Sequence, residues 1–404
     1  MKLLLCALLI AMGGHSALAV QPFSTSSDQA ALVQGNNAFA IDLYAQLSQQ
    51  NGNLLFSPAS ISTAFAMAYA GARGQTATEM ADALHFTLPP DRLHPAMGAL
   101  LASLNGAHTG YELHVADALW AEKDEEFLPA YLLLVETNYA AGFHPVDFKA
   151  DPNAVRATIN QWVEQQTAKK ITDLLGPGSV TADTRMVLTN AIYFKGDWDE
   201  PFPVSYTQNE DFHLSATQTV KAPLMYRTGN YTYFDGGSFQ TLEIPYKSRE
   251  LSMIVFLPKD VAGLPALEKS FTAANLQKWL AQLQYSDKVH LTFPKFKMTS
   301  AFELNDALTQ MGLKQAFEQN AADFSGMTGG RDLFISAAIH KAYISVDEKG
   351  TEAAAATGMI MKATAMRDEP PPITFTADHP FLFLIRDNKS GGILFMGRVT
   401  DPTK

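Results

Sequence analysis

The spacing of apolar residues changes near the middle of the chain. In the first half apolar side chains recur every three or four positions, as at Leu32, Phe39, Leu43 and Leu47, which is typical of helices with one buried face. From residue 219 short segments rich in Val, Ile, Tyr and Phe are separated by turn residues, which is typical of strands. The pattern predicts helices over 28–50, 59–72, 127–139, 152–168, 263–283 and 300–313. It predicts strands over 111–121, 185–195, 219–227, 231–235, 240–246, 250–257, 287–298, 332–347, 380–386 and 392–399.

One segment departs from both patterns. No linker or repeat divides the chain, so the sequence predicts a single mixed α+β domain. Residues 348–372 lie between the strand over 332–347 and the final hairpin, and they carry no core pattern. A connection of this length inside a compact domain is usually functional. The alternatives are a plain exposed linker or an Ala-rich helix.

The composition limits the kinds of function. With 47% hydrophobic and 18% charged residues, the chain can bury enough apolar surface to fold, which excludes a disordered protein. The balance of 30 basic and 41 acidic residues gives a net charge of −11, which disfavours nucleic acid or an anionic membrane as partner. The single cysteine, Cys6, excludes an intramolecular disulfide and a thiolate metal site.

The first residues have the pattern of a secretory signal peptide. Lys2 precedes an apolar stretch over 3–12, and Ala17-Leu18-Ala19 has the small-x-small form of a cleavage site. The stretch is too short for a membrane span of about 20 residues; a buried N-terminal helix is the alternative. The sequence therefore predicts a signal peptide over 1–19, a mature domain over 20–404 and a secreted location, extracellular or periplasmic.

The motifs of common enzyme sites are absent from the sequence. It contains no G-x-S-x-G nucleophile elbow, no H-E-x-x-H zinc motif, no Walker phosphate loop and no G-x-G-x-x-G. Its 10 histidines are scattered, and none lies at metal-ligand spacing from a second His or Cys. The sequence therefore predicts a protein that is not an enzyme and needs no metal or organic cofactor.

Four segments, taken in order, resemble motifs of the serpin (serine protease inhibitor) family. They are residues 53–76, beginning NLLFSPASI, 189–198 (TNAIYFKGDW), 340–357, ending DEKGTEAAAAT, and 375–385 (FTADHPFLFLI). The resemblance implies an α+β domain with three β-sheets, about eight or nine helices and an exposed reactive-centre loop near 348–372. Together with the short leader, it implies a secreted, prokaryotic-type inhibitory member that is a monomer.

The resemblance also implies a suicide-substrate mechanism. A target serine protease cleaves the loop and forms an acyl-enzyme, and the cut loop then inserts into the main sheet as a new strand and traps the protease. Counted from Glu348, the number of residues that usually separates the hinge from the cleaved bond in this family places that bond at Thr364-Ala365. These small residues favour an elastase-like or subtilisin-like target. Four nearby residues are alternatives that would suit chymotrypsin-like or trypsin-like pockets: Met361, Met366, Lys362 and Arg367.

The first part of the loop has a composition that suits insertion as a strand. The resemblance implies a hinge made of Glu348, Gly350, Thr351, Glu352, Ala353, Ala354, Ala355, Ala356 and Thr357. Alternate side chains of a strand face the same side, and those at 351, 353, 355 and 357 are all small. The only charge between 350 and 361 is Glu352, on the opposite side of the strand. Within the loop, no proline precedes Pro370. A plain linker has no reason to combine these features.

Two further clusters are implied by the resemblance. Under the main sheet lies the shutter, a hydrogen-bonded latch, made of Ser57, Ser60, Asn190 and His340. At the top of the sheet lies the breach, made of Trp198, Lys295 and Glu348, where a Lys295–Glu348 ion pair is expected to modulate rather than decide stability. Ordinary capping and core polar contacts are the alternative roles of the shutter residues. Two alternative functions stay open: a non-inhibitory carrier or chaperone, and an inhibitor of cysteine proteases.

Overall fold

A computed structural model of the protein describes residues 26–139, 142–351 and 372–404. Ten α-helices lie within these ranges: Ser26–Leu47 (α1), Pro58–Tyr69 (α2), Gly74–Ala83 (α3), Pro90–Leu104 (α4), Pro129–Tyr139 (α5), Pro152–Gln166 (α6), Leu264–Ser270 (α7), Ala273–Leu280 (α8), Asn305–Gln310 (α9) and Ser325–Thr328 (α10). The strands within the same ranges are Leu54–Phe56 (β1), Tyr111–Glu122 (β2), Phe143–Val146 (β3), Met186–Asp197 (β4), Gln208–Ser215 (β5), Gln218–Asp235 (β6), Phe239–Pro245 (β7), Leu251–Pro258 (β8), Gln284–Pro294 (β9), Phe296–Glu303 (β10), Ala337–Val346 (β11), Gly350–Thr351 (β12), Thr374–Thr376 (β13), Phe381–Asp387 (β14) and Ile393–Val399 (β15).

The strands form two hydrogen-bonded networks. The main sheet has six strands in the order β10-β11-β12-β4-β2-β3. The other network has nine strands, ordered β1-β15-β14-β8-β7-β6-β9-β13, with β5 paired to β6. Strand β6 is 18 residues long, and it pairs with β5 near its start and with β7 near its end. The three sheets that the resemblance implies are therefore present, with two of them continuous through β6, and the described residues form ten helices rather than eight or nine.

Several predicted elements have different bounds in the structure. The helix predicted over 263–283 is two helices, α7 and α8, because the Thr272 side chain accepts a hydrogen bond from the Asn275 N–H and begins a new helix. The helix predicted over 300–313 is wrong in its first residues, since β10 continues to Glu303 through pairing with β11. The strands predicted over 219–227 and 231–235 are both part of β6.

Helix α2 lies at the centre of the molecule. Its N-cap is Ser57 and its first residue is Pro58, as predicted, and the helix is buried from Pro58 to Ala68. Small side chains along it allow close approach, and α2 contacts β2 and β4 of the main sheet as well as β15 of the other network. One apolar core lies between the two networks, and a second lies on the opposite face of the main sheet, beneath α6. Among the described helices, none combines the length and apolar character that crossing a bilayer requires.

Candidate functional site: the seam of the main sheet

The main sheet is closed along most of the line at which a new strand would enter it. Strands β4 and β11 run parallel and pair directly, from Val187 opposite Ala337 to Tyr193 opposite Tyr343. We call this line the seam. Above it, the two-residue strand β12 separates β4 from β11, with Thr351 paired to Val346 on one side and Gly196 on the other. The first residues of the predicted hinge therefore already occupy the top of the seam.

Glycine is required at position 350 by the close approach of β4. Gly350 has φ +156°, and a Cβ atom on it would lie 2.0 Å from the Gly196 carbonyl oxygen and 2.6 Å from the Asp197 Cα atom. Thr351 follows with no exposed surface, and its hydroxyl lies 3.1 Å from the Tyr246 hydroxyl. Six of the predicted hinge residues lie outside the described residues, as does the predicted Thr364-Ala365 bond: Glu352, Ala353, Ala354, Ala355, Ala356 and Thr357.

Replacing Gly350 with alanine is expected to expel β12 from the top of the seam. The added methyl group would overlap backbone atoms of β4, which cannot move aside as a flexible side chain can, and the cost is about 2 kcal/mol. Hydrogen–deuterium exchange over 346–351 and 193–198 should become faster than in the wild type. The control is Gly176→Ala, at a position where nothing lies within 4 Å. Unchanged exchange in Gly350→Ala would show that β12 tolerates a side chain at this point.

The three predicted breach residues meet where the loop begins. The Lys295 Nζ atom lies 2.7 Å from Glu348 Oε2, and Thr207 donates a 2.8 Å hydrogen bond to Glu348 Oε1. The Trp198 indole N–H donates to the Asp347 carbonyl at 3.0 Å, and its ring stacks on Tyr246 at 4.6 Å. Burial raises the pKa of Glu348, but the bonds from Lys295 and Thr207 outweigh it and leave the pKa below its ordinary value. The Glu348 carboxylate is thus buried and accepts two side-chain hydrogen bonds, unlike a carboxylate in an exposed ion pair.

The four predicted shutter residues form one network across the seam. Asn190 of β4 stands opposite His340 of β11, and on its other side it stands opposite Asp117 of β2. These three side chains make a polar row beneath the sheet, against the start of α2. The Ser57 N–H donates to His340 Nε2 at 3.2 Å, and the Ser60 hydroxyl donates to Asp117 Oδ1 at 2.7 Å.

The direction of these hydrogen bonds determines the state of the histidine. Because the Ser57 backbone N–H can only donate, His340 Nε2 is an acceptor and the proton of the neutral ring is on Nδ1. That Nδ1–H donates to Asn190 Oδ1, and the Asn190 amide donates in turn to Ser60 Oγ and Asp117 Oδ1. Burial lowers the pKa of His340 to about 3. The shutter is therefore a chain of donors that starts at α2, crosses the seam and ends on a carboxylate.

Sequence reasoning missed two residues of these clusters, Asp117 and Thr207. Asp117 interrupts an inward-facing row of apolar residues in β2, between Val115 and Leu119, and that interruption was a signal of a buried polar contact. Thr207 follows a short helical turn and carries no such signal. The resemblance to family motifs could not identify either residue, because neither lies in a matching segment.

The outer face of the seam is covered by α6 and the segment that follows it. The rings of Tyr193 and Tyr343, one from each strand of the seam, lie 5.8 Å apart in the apolar core under α6. The Lys341 ammonium group donates to the Thr172 carbonyl oxygen at 2.7 Å and so fastens this covering segment to β11. A strand that entered the seam would have to part the two rings and lift the segment. Within the described ranges, no group of three or more His, Cys, Asp or Glu side chains could hold a metal ion.

Known proteins with similar sequences and structures match more than nine tenths of this chain. Human leukocyte elastase inhibitor is 40% identical over 381 residues, which cover 92% of this chain and 99% of the relative. The solved structure of human thyroxine-binding globulin with bound thyroxine has a TM-score of 0.83 at 32% identity and covers 93% of this chain and 100% of that chain. A highly specific serpin of the insect Tenebrio molitor has a TM-score of 0.83 at 33% identity and covers 94% and 100%.

The relatives contradict the predicted secreted location, whether extracellular or periplasmic. Because 99% of human leukocyte elastase inhibitor lies within the alignment, almost none of its sequence is left to correspond to the leader over 1–19. The location inferred from that leader is therefore wrong. Human and insect proteins at this level of similarity also give no support to a prokaryotic type. Residues 1–19 lie outside the described residues, so their interpretation as a signal peptide stays a prediction.

The family itself is established by its own sequence model. The model of the serpin (serine protease inhibitor) family matches residues 34–402, which is most of the chain. The match includes the seam, the shutter and the breach, and the fold agrees with the one the resemblance implied. The chain belongs to the serpin family.

Proposed function

We propose that this protein inhibits serine proteases as a suicide substrate, within a single domain over 20–404. The observation that carries the proposal is the state of the seam, which is closed from 187 to 193 against 337 to 343 and already entered at its top by Gly350 and Thr351. Cleavage of the loop would free the rest of the hinge to continue this entry as a full strand. Each newly paired residue would gain sheet hydrogen bonds and burial, which supplies the driving force.

The target favoured by the sequence is an elastase-like or subtilisin-like serine protease. Thr364 and Ala365 at the proposed cleaved bond are small and suit a shallow pocket. A relative at 40% identity is named leukocyte elastase inhibitor, which supports the same class of target. We propose that the inhibitor acts as a monomer, because insertion uses a loop and a sheet of one chain.

The test is incubation of the full chain with elastase, subtilisin, chymotrypsin and trypsin, followed by denaturing gels and mass spectrometry. We expect a complex that survives denaturation with elastase or subtilisin, and a released C-terminal peptide that begins at Ala365. The matched variant Thr364→Arg should move complex formation to trypsin, since a trypsin-like pocket prefers a cationic side chain. A released peptide that begins after Met361, Lys362, Met366 or Arg367 would place the bond there instead.

The alternative function is that of a carrier, as in thyroxine-binding globulin, whose similar structure contains thyroxine. A carrier would be cleaved by these proteases without forming any covalent complex. Cleavage of that kind by all four enzymes would overturn the proposal for serine proteases, and the same gels with papain would then test cysteine proteases.

A further inference from the structure

The shutter ends on a carboxylate group with an unpaired oxygen. Asp117 Oδ1 accepts hydrogen bonds from the Ser60 hydroxyl and the Asn190 amide. Asp117 Oδ2 is buried and has no hydrogen-bond partner among the described residues. A buried carboxylate normally has a cation or a full set of donors around it, because an unpaired buried charge is costly. In the part of the chain that the structure describes, Asp117 Oδ2 has neither.

The described groups that bond to the Asp117 side chain are neutral. Helix α2 contributes the hydroxyl of Ser60, and β4 contributes the amide of Asn190. Strand β11 contributes His340, which contacts Asn190 rather than Asp117 and is neutral in the tautomer described above. Within the described ranges, no Lys or Arg side chain forms an ion pair with Asp117, and Ser60 and Asn190 are the donors to its carboxylate. Among the described residues, no positive charge therefore compensates an ionised Asp117.

The same network must break when the seam opens. Neighbouring strands lie about 4.8 Å apart, so an inserted strand would double the spacing between β4 and β11. The hydrogen bond from His340 to Asn190 crosses this line and could not survive. Opening would separate Asn190 from His340 and loosen the row that keeps Asp117 away from water. An ionised carboxylate gains more from that change than a neutral carboxylic acid does.

We infer that Asp117 is a titratable element of the shutter, such that its protonated form favours the closed seam and its ionised form favours opening. The inference rests on the proposed function for its biological meaning, because opening is the step that strand insertion requires. The test of this inference needs no protease. The inference can therefore fail while the proposed inhibition stands, and the proposed inhibition can fail while the inference stands.

The direction of the effect follows from where the group titrates. Burial raises the pKa of Asp117 well above its ordinary value, and the hydrogen bonds from Ser60 and Asn190 offset only part of this rise. Between the ordinary and the raised pKa, the closed form holds a proton that the unfolded chain has lost. The stability of the closed form therefore decreases as pH rises through this window and levels off above it.

The experiment measures how fast the seam accepts a strand from outside. The full chain is mixed with a synthetic peptide of the sequence of residues 350–361, and its uptake is followed from about pH 5 to about pH 8. For the wild type we expect uptake to rise at least about tenfold with pH, because the closed form loses stability as Asp117 ionises. The variant Asp117→Asn keeps the shape and the Oδ1 acceptor, so its uptake should be slow and independent of pH.

A matched control separates this carboxylate from others. Asp124→Asn removes the same charge at a side chain that is 58% exposed, and it should keep the wild-type pH profile. If Asp117→Asn does not fold, Asp117→Ser carries the same expectation, because its hydroxyl can accept the bond from Ser60. Infrared spectra of the wild type give a second measurement, since a protonated buried carboxylic acid has its own band, whose loss with rising pH should accompany peptide uptake. Uptake that is flat in the wild type, or equally steep in Asp117→Asn, would overturn the inference.

Discussion

Under the proposed function, replacing Thr351 with arginine is expected to convert an inhibitor into an ordinary substrate. Thr351 has no exposed surface and sits between β11 and β4, with its hydroxyl 3.1 Å from that of Tyr246. A guanidinium group at this point would be buried without a carboxylate partner, at a cost of several kcal/mol. The variant would lose β12 from the top of the seam, and the cut loop would have no entry point. The protease would then deacylate and leave before insertion could trap it.

The expected change is large because insertion competes with deacylation in time. A cost of about 3 kcal/mol on the first inserted pair slows insertion about 100-fold, so trapped complex per cleavage should fall by a similar factor. The measurement is the ratio of covalent complex to cleaved inhibitor on denaturing gels, together with the second-order rate of complex formation. The rate of cleavage itself should change little, since Thr351 is far along the chain from the proposed bond.

The neighbouring position supplies the control. Glu352→Arg places the same side chain on the next residue, which in an inserted strand would face the opposite side by strand alternation. The Glu352→Arg variant should form nearly as much covalent complex per cleavage as the wild type. Equal loss in both variants would mean that charge near the loop root, rather than the buried face of the new strand, is responsible. Full trapping by Thr351→Arg would contradict the entry path that β12 indicates.

The elements of the seam were largely predictable from local pattern, whereas its contacts were not. The strands predicted over 185–195 and 332–347 correspond to β4 and β11, because a strand buried on both faces reads as a near-continuous apolar run. The capping role of Ser57 was also readable, since an N-cap residue followed by proline is a local signal. These features depend only on residues that are close along the chain.

Asp117 and β12 show where sequence reasoning stops. Asp117 joins the shutter only because the register of three strands aligns it with Asn190 and His340, and register is a property of the assembled sheet. The insertion of Gly350 and Thr351 depends on the gap that β4 and β11 leave above Tyr193 and Tyr343, which no pattern of single residues records. The motif resemblance identified the shutter residues that lie in matching segments, but it could not supply a partner from outside them.

Replacing Asn190 with alanine is expected to destabilise the closed sheet by about 3 kcal/mol or more. The Asn190 side chain bonds to His340 on one side of the seam and to Asp117 and Ser60 on the other. Its removal would leave the His340 Nδ1–H without an acceptor and Asp117 with one donor fewer, all in a buried site. Each unsatisfied buried group costs about 1–3 kcal/mol, so the losses at the two sides of the seam add to the effect.

The measurement is the thermal midpoint together with the rate of peptide uptake into the seam. We expect the midpoint to fall by about 6 °C or more, at about 2 °C for each kcal/mol, and uptake to become faster at every pH. Asn320→Ala is the control, because that side chain is exposed and lies outside the shutter. A midpoint equal to that of the wild type would show that water or rearrangement replaces the asparagine without loss.

Substitutions of Asn190 and Asp117, two neighbours in the shutter, are expected to shift the thermal midpoint in opposite directions. Asn190→Ala removes the amide that accepts a hydrogen bond from the His340 Nδ1–H and donates one to Asp117 Oδ1, so it weakens the latch whatever the charge of Asp117. Asp117→Asn removes a charge but keeps the Oδ1 acceptor, so it should strengthen the latch at neutral pH and leave it unchanged at low pH. Two substitutions on hydrogen-bonded neighbours should therefore shift the thermal midpoint in opposite directions. A purely steric role for the shutter would instead make both variants less stable, because each would disturb the same packed site.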